Sequence, residues 1–172
     1  MRMRGLKRLL RETGGSTIVE FALLAPILLT ILLGSVTAFD MFRNAQNVEK
    51  ATFTIGDMLS RQTVITASTL TGMLDLLQNM VPTARDGGLR ISSVAKDKGV
   101  LVLRWSRSLG SNVPNTPLPS DVLPDIAEGD TVLITESFVP HEAMVAGFGF
   151  GNITFQGKAA HRPRFVVAIP EP

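Results

Sequence analysis

Gly14-Gly15-Ser16-Thr17-Ile18-Val19-Glu20, running into Phe21-Ala22-Leu23-Leu24-Ala25-Pro26-Ile27-Leu28-Leu29-Thr30-Ile31-Leu32-Leu33-Gly34-Ser35-Val36-Thr37-Ala38-Phe39, decides how this chain is read. From Phe21 to Phe39 nineteen residues pass without a charge, bounded by Glu20 and Asp40. At about 1.5 Å rise per residue, a helix of that length spans roughly 28 Å, against about 30 Å of bilayer hydrocarbon. The stretch is long enough to cross a membrane. Pro26 falls in its first third and removes one backbone hydrogen bond, a defect that neighbouring helices accommodate in membranes, so a bend rather than an end is expected there.

N-terminal to this run, Arg2, Arg4, Lys7, Arg8 and Arg11 stand against Glu12 alone, a net of +4 within residues 1–15. The other 157 residues carry twelve basic and fourteen acidic side chains, a net of −2, so the overall +2 conceals an asymmetry. A basic cluster ahead of an apolar run is a topology signal and not a nucleic-acid footprint. The positive-inside bias places the N-terminus in the cytoplasm and residues beyond about 40 on the extracytoplasmic side. Two other processing fates fit the same segment. A signal peptide could end at Val36-Thr37-Ala38, although the apolar run exceeds the usual core of about 7–15 residues, and an uncut signal anchor also fits. The chain has no cysteine, which excludes disulfides and thiolate metal sites.

The junction carries two residues with specific physical properties. Gly15 lacks a side chain, so its backbone fits an extended path through a tight protease cleft. Glu20 places an ionisable group at the edge of a membrane helix, where burial costs about 2.5–3.5 kcal/mol at the bilayer centre and marks a functional candidate. A carboxylate there also suits the helix dipole, which is the purely structural explanation. A glycine, four residues and a glutamate between a basic leader and a membrane helix resemble the processing site of type IV prepilins. That resemblance implies cleavage by a prepilin peptidase after Gly15, Ser16 as the mature N-terminus, and Glu20 as the fifth mature residue. It also implies a partner for Glu20, the new α-amino group of a neighbouring subunit, which ordinarily titrates at about 7.7–8.0.

The segment Ser16 to Pro26, STIVEFALLAP, narrows the family. It resembles the N-terminus of TadE-like and TadF-like pseudopilins of tight-adherence (Flp) pilus systems. Looser similarities are the polar helix that follows, the element Trp105-Ser106-Arg107 closing a strand, and Arg162-Pro163-Arg164-Phe165 near the C-terminus. The resemblance implies a minor, non-enzymatic pilus-assembly component with a pilin-like fold, no cofactor, and roles in surface attachment and biofilm formation. Its implied partners are other pseudopilins or pilins met through the N-terminal helix, the peptidase, an assembly platform and the lipid bilayer. The alternative from another class is a signal-anchored extracytoplasmic binding module unrelated to pili.

Beyond Asp40, Phe42, Ala45, Val48, Ala51, Ile55, Met58 and Leu59 recur at three- and four-residue spacing, predicting that the helix continues as an amphipathic stalk to about Ser60. That stripe is expected to pack on the domain's own sheet or to dock on another pilin-like subunit. A second helix is expected from about Ser68, as N-cap, to Met80, before Pro82. Strands are expected over Leu89–Ala95 and Val100–Trp105, joined by Lys96-Asp97-Lys98-Gly99, then over Asp130–Phe138 and Ile153–Ala160, with a short edge piece at Phe165–Ile169. The proline-rich segment Gly110–Gly129 reads as a long surface loop. The expected fold is α+β: a leader over 1–15, an anchor and stalk over 16–60, and an extracytoplasmic domain over 61–172 whose sheet is a meander.

Other constellations carry little. His141-Glu142-Ala143-Met144-Val145 lacks the second histidine of a zinc-protease helix, and Gly147-Phe148-Gly149-Phe150-Gly151-Asn152 has asparagine where a dinucleotide fingerprint needs its third glycine. Lys158, His161, Arg162 and Arg164 read as a solvated strand face or partners of nearby acids, not as a nucleic-acid site. Trp105, the only tryptophan, reads as core.

Overall fold

A computed structural model describes residues 14–143, 145 and 151–172. The basic leader up to residue 13, residue 144 of the His141–Val145 segment, and residues 146–150, which hold most of the glycine-rich run, lie outside the described residues. The chain divides into two compact units, Met1–Phe39 and Asp40–Pro172. Helix α1 runs unbroken over Gly14–Ser60, with Pro26 inside it.

In the first unit the apolar side chains of α1 are solvent-facing on every side: Ile18, Phe21, Leu24, Ile27, Leu28, Ile31 and Leu32 are all more than half exposed. Its polar residues bond back to their own helix. Thr30 Oγ1 donates to Pro26 O at 2.7 Å, Ser35 Oγ to Ile31 O at 2.8 Å and Thr37 Oγ1 to Leu33 O at 2.9 Å. Hydroxyls satisfied in this way leave no donor searching for water, which a lipid environment demands.

The second unit is an α+β domain. Helix α2 spans Ala67–Met80 and a 3-10 turn spans Ala84–Asp86. Four strands follow, β1 (Gly88–Asp97), β2 (Val100–Gly110), β3 (Thr131–His141) and β4 (Ile153–His161), in one antiparallel sheet of order β2-β1-β3-β4. The expected meander is therefore corrected, because β3 pairs with β1 and not with β2. Burial explains the order. Nearly every residue of β1 and β3 is buried, so both belong in the centre of the sheet, whereas β2 is largely exposed and belongs at an edge.

Alternation along the strands sorts their side chains onto two faces. Leu89 and Ile91 of β1 and Leu133 and Val139 of β3 meet Val48, Ala51, Ile55 and Leu59 of α1 and Leu70, Met73 and Leu77 of α2 in the main core. On the opposite face Val94, Val132 and Ile134 pack with Ile126, Leu118, Val122 and Leu123 from the segment after β2. That segment has no helix or strand, as expected, but it is the lid of a second core, not only a surface loop: Ile126 is buried.

Other local details differ from expectation for definite reasons. The N-cap of α2 is Thr66, not Ser68: Thr66 is extended and its Oγ1 accepts from Thr69 N at 3.2 Å. Ile65 before the cap and Leu70 in the first turn both enter the main core, a staple available only in that register. The β1–β2 turn is the two residues Lys98 (φ 51°) and Gly99 (φ 79°), shorter than the expected four, because a right-twisted hairpin favours positive φ at both central positions. Strand β2 runs past Trp105-Ser106-Arg107 to Gly110. Phe165–Ile169 joins no strand; it is an irregular segment that leaves Phe165 and Val167 exposed and buries Ile169 in the core, held by Thr131 Oγ1 donating to Val167 O and Trp105 Nε1 donating to Ile169 O at 2.9 Å.

Candidate functional site

Gly14, Gly15 and Ser16 lie in the first turn of α1. The first four N–H groups of a helix have no partner within it, and each glycine weakens a helix by roughly 1 kcal/mol relative to alanine, so this turn is the one most readily unwound. Glu20 follows about one turn later with an exposed side chain. Between Glu20 and Asp40 no charged residue intervenes, and the helix is long and apolar enough to cross a membrane. Phe21 and Phe39, at the two ends of the uncharged run, are exposed, and Pro26 sits within continuous helix between them. The sequence-predicted site residues thus lie in order along one helix.

Past Asp40 the helix changes character. Val48, Ala51, Thr52, Ile55 and Leu59 are buried on the sheet, whereas Phe42 and Phe53 are 63% and 61% exposed and Met58 is also exposed. The stripe read from the sequence is therefore shared: its centre packs on the domain's own core, and Phe42 and Met58 stay outside it. The helix approaches the sheet closely at two glycines. A Cβ on Gly157 would lie 2.1 Å from Thr52 Oγ1, and one on Gly56 would lie 2.5 Å from His161 Nδ1. Thr52 Oγ1 and Ser137 Oγ share a hydrogen bond of 2.5 Å across this seam, which needs glycine at 157.

Several polar contacts organise the domain around this helix. At the start of the unit, Asn44 Nδ2 donates to Asp40 O at 3.0 Å and to Asp40 Oδ1 at 3.1 Å, and the buried His141 places Nε2 3.4 Å from Asp40 Oδ2. At the other end of the helix, Asp57 pairs with Arg61 at 2.7 Å and with Arg164. The Arg61 hydrogen bond, with Arg164 and His161 nearby, holds the Asp57 carboxyl below the usual carboxylate range. Burial against Phe53 and Gly56 pushes the His161 imidazole below its ordinary pKa of 6.5; Asp57 opposes that shift and Arg164 adds to it. Lys158 pairs with Asp121 at 3.1 Å and Arg162 with Asp130, so these cations are engaged by acids.

The other face holds a buried pair. Arg90 Nε donates to Glu136 Oε2 at 2.7 Å and Arg90 Nη2 to Glu136 Oε1 at 2.9 Å, with Glu136 only 1% exposed. Arg90 Nη1 also donates to Pro114 O and Thr116 O, stitching the lid segment to the sheet. Every donor direction of this guanidinium is spent on structure, so the pair is a staple and not a ligand site. Among the described residues no group of three or more His, Asp or Glu side chains gathers to hold a metal ion.

No curated protein and no solved structure matches the chain. The family model described as TadE-like protein does match, over residues 15–57, which covers Gly15, Ser16, Glu20, the uncharged run and most of the buried half of α1. Over this N-terminal helix, and over it alone, the chain is similar to TadE-like proteins.

Proposed function

We propose that this chain is a non-enzymatic minor pseudopilin that takes part in assembling a tight-adherence pilus. The observation that carries the reading is the division of α1: an uncharged apolar half with Glu20 at its mouth, continuous with a half that seats an α+β domain. The TadE-like match over residues 15–57 supports the same reading. In it, residues 1–15 form a cytoplasmic leader, residues 16–60 the anchor and stalk, and residues 61–172 a periplasmic domain held in the inner membrane by a single span. A prepilin peptidase unwinds the first turn of α1 and cuts after Gly15, exposing the α-amino group of Ser16. Glu20 then offers its carboxylate to the α-amino group of a neighbouring pseudopilin or pilin and so sets the register between helices. The membrane segments associate laterally, and an assembly platform on other chains supplies the work. Surface attachment and biofilm formation follow from the filament.

Replacing Glu20 tests this reading. In cells that make the pilus, Glu20→Ala is expected to lower sheared filament yield by about tenfold or more while the protein stays at its normal level in membranes, since a lost ionic contact in lipid has no substitute from water. A signal-anchored binding module unrelated to pili predicts unchanged filaments, and that result would reject the pseudopilin reading.

A further inference from the structure

Strand β2 is an edge with the chemistry of a docking strand. Its only ladder is with β1, and among the described residues no other backbone hydrogen bond engages residues 100–109. In an antiparallel pair, alternate N–H and C=O groups of an edge strand point away from the sheet and remain available for another chain. Four adjacent apolar residues, Val100, Leu101, Val102 and Leu103, lie on this edge at 64%, 37%, 40% and 48% exposure. Such a run is what soluble domains ordinarily guard with lysine, proline or a very short strand. The other edge, β4, is guarded in this way by Gly157 and Lys158 in mid-strand.

The run ends at a bulge. Ser93 faces Trp105 and Val94 faces Leu103, which leaves Arg104 as the extra residue of β2. Bulges at sheet edges re-aim a side chain and end a pairing register. Arg104 is exposed and makes no ion pair or hydrogen bond among the described residues, whereas Arg107 is engaged by Glu171 at 2.6 Å. The whole of β2 contains two arginines and no acid.

We propose that the outer edge of β2, over Val100–Arg104, takes up an extended acidic segment of a partner protein as a fifth strand. Backbone hydrogen bonds supply the affinity, β-branched or leucine side chains of the incoming strand cover the flanks of Val100–Leu103, and a carboxylate meets Arg104. A second copy is the poorer occupant. Two β2 edges side by side would bring two Arg104 guanidiniums onto one ladder with no acid in either strand to meet them, and like charges across a ladder are destabilising. The inference stands apart from the membrane helix, so it is independent of how residues 14–39 are processed.

The test uses the full-length chain in detergent micelles and two labelled eight-residue peptides of alternating valine and threonine, one with glutamate at both ends and one with lysine. The glutamate peptide is expected to bind about tenfold tighter or better, with an advantage that shrinks as salt rises. The exposed substitution Arg104→Glu should reverse the preference, and Val102→Lys should weaken both peptides. Bound peptide should slow amide hydrogen exchange within Val100–Arg104. Equal affinity for the two peptides, no binding of either, or protection confined to β4 or α1 would overturn the proposal. So would self-association of the chain that Val102→Lys abolishes, since that would make a second copy the occupant.

Discussion

Residues 17–39 and 40–60 belong to one helix and are both rich in apolar side chains, yet they solve opposite problems. In the first stretch leucine and isoleucine point in every direction and stay exposed. In the second, Val48, Ala51, Ile55 and Leu59 form a single buried stripe while Glu49, Lys50 and Phe53 face outward. A stripe can be covered by one sheet, but a helix apolar all round needs an apolar solvent. The decisive property is thus the angular distribution of apolar residues and not their number.

Substitutions can break this contrast. The largest effect is expected from the buried half: Ile55→Ala should destabilise the domain by about 2–5 kcal/mol, whereas Leu29→Ala in the exposed half should leave it within about 0.5 kcal/mol. Thermal unfolding in detergent, followed through the fluorescence of Trp105, reads both. Equal losses from the two would mean that the halves are not distinct environments. Next comes the seam between α1 and β4. Gly157→Ala drives a methyl group into Thr52 and Ser137 and should cost about 1–3 kcal/mol, measured by the same unfolding experiment. Smaller again, Thr66→Ala removes the cap of α2, at about 1 kcal/mol, while Ser68→Ala should cost clearly less.

The smallest effect sharpens the comparison through pH. Burial lowers the His161 pKa, so the folded domain binds fewer protons there than the unfolded chain. Stability from this group is complete above its ordinary pKa of 6.5 and is lost as pH falls through that value toward the depressed one. His161→Gln should flatten the unfolding midpoint over that interval while leaving acid sensitivity at lower pH, where Asp57, Asp121 and Asp125, each with a lowered pKa, are titrated. An unchanged pH profile would show that the imidazole is not the titrating group.

What could be read in advance follows from range. Periodicity acts over neighbouring turns, so α1, α2 and the strands were legible from residues such as Val48, Ile55, Leu70 and Leu77. Strand order was not, because it depends on which strands are covered on both faces, and the lid residue Ile126 reveals its role only once Val94 and Val132 lie beneath it. The Arg90–Glu136 staple joins residues 46 apart and has no local signature. The Thr66 cap was hidden by a second hydroxyl two residues on, and only the burial of Ile65 separates the two. The pattern of Gly15, Ser16 and Glu20 was legible because it lies within six neighbouring residues. His141 beside Asp40 was not, since about a hundred residues separate them.

Intact-mass measurement of the protein extracted from native membranes tests the central claim most directly. Cleavage after Gly15 predicts one species whose mass corresponds to residues 16–172. A species that still begins at Met1, or one that begins at Phe39, would contradict it.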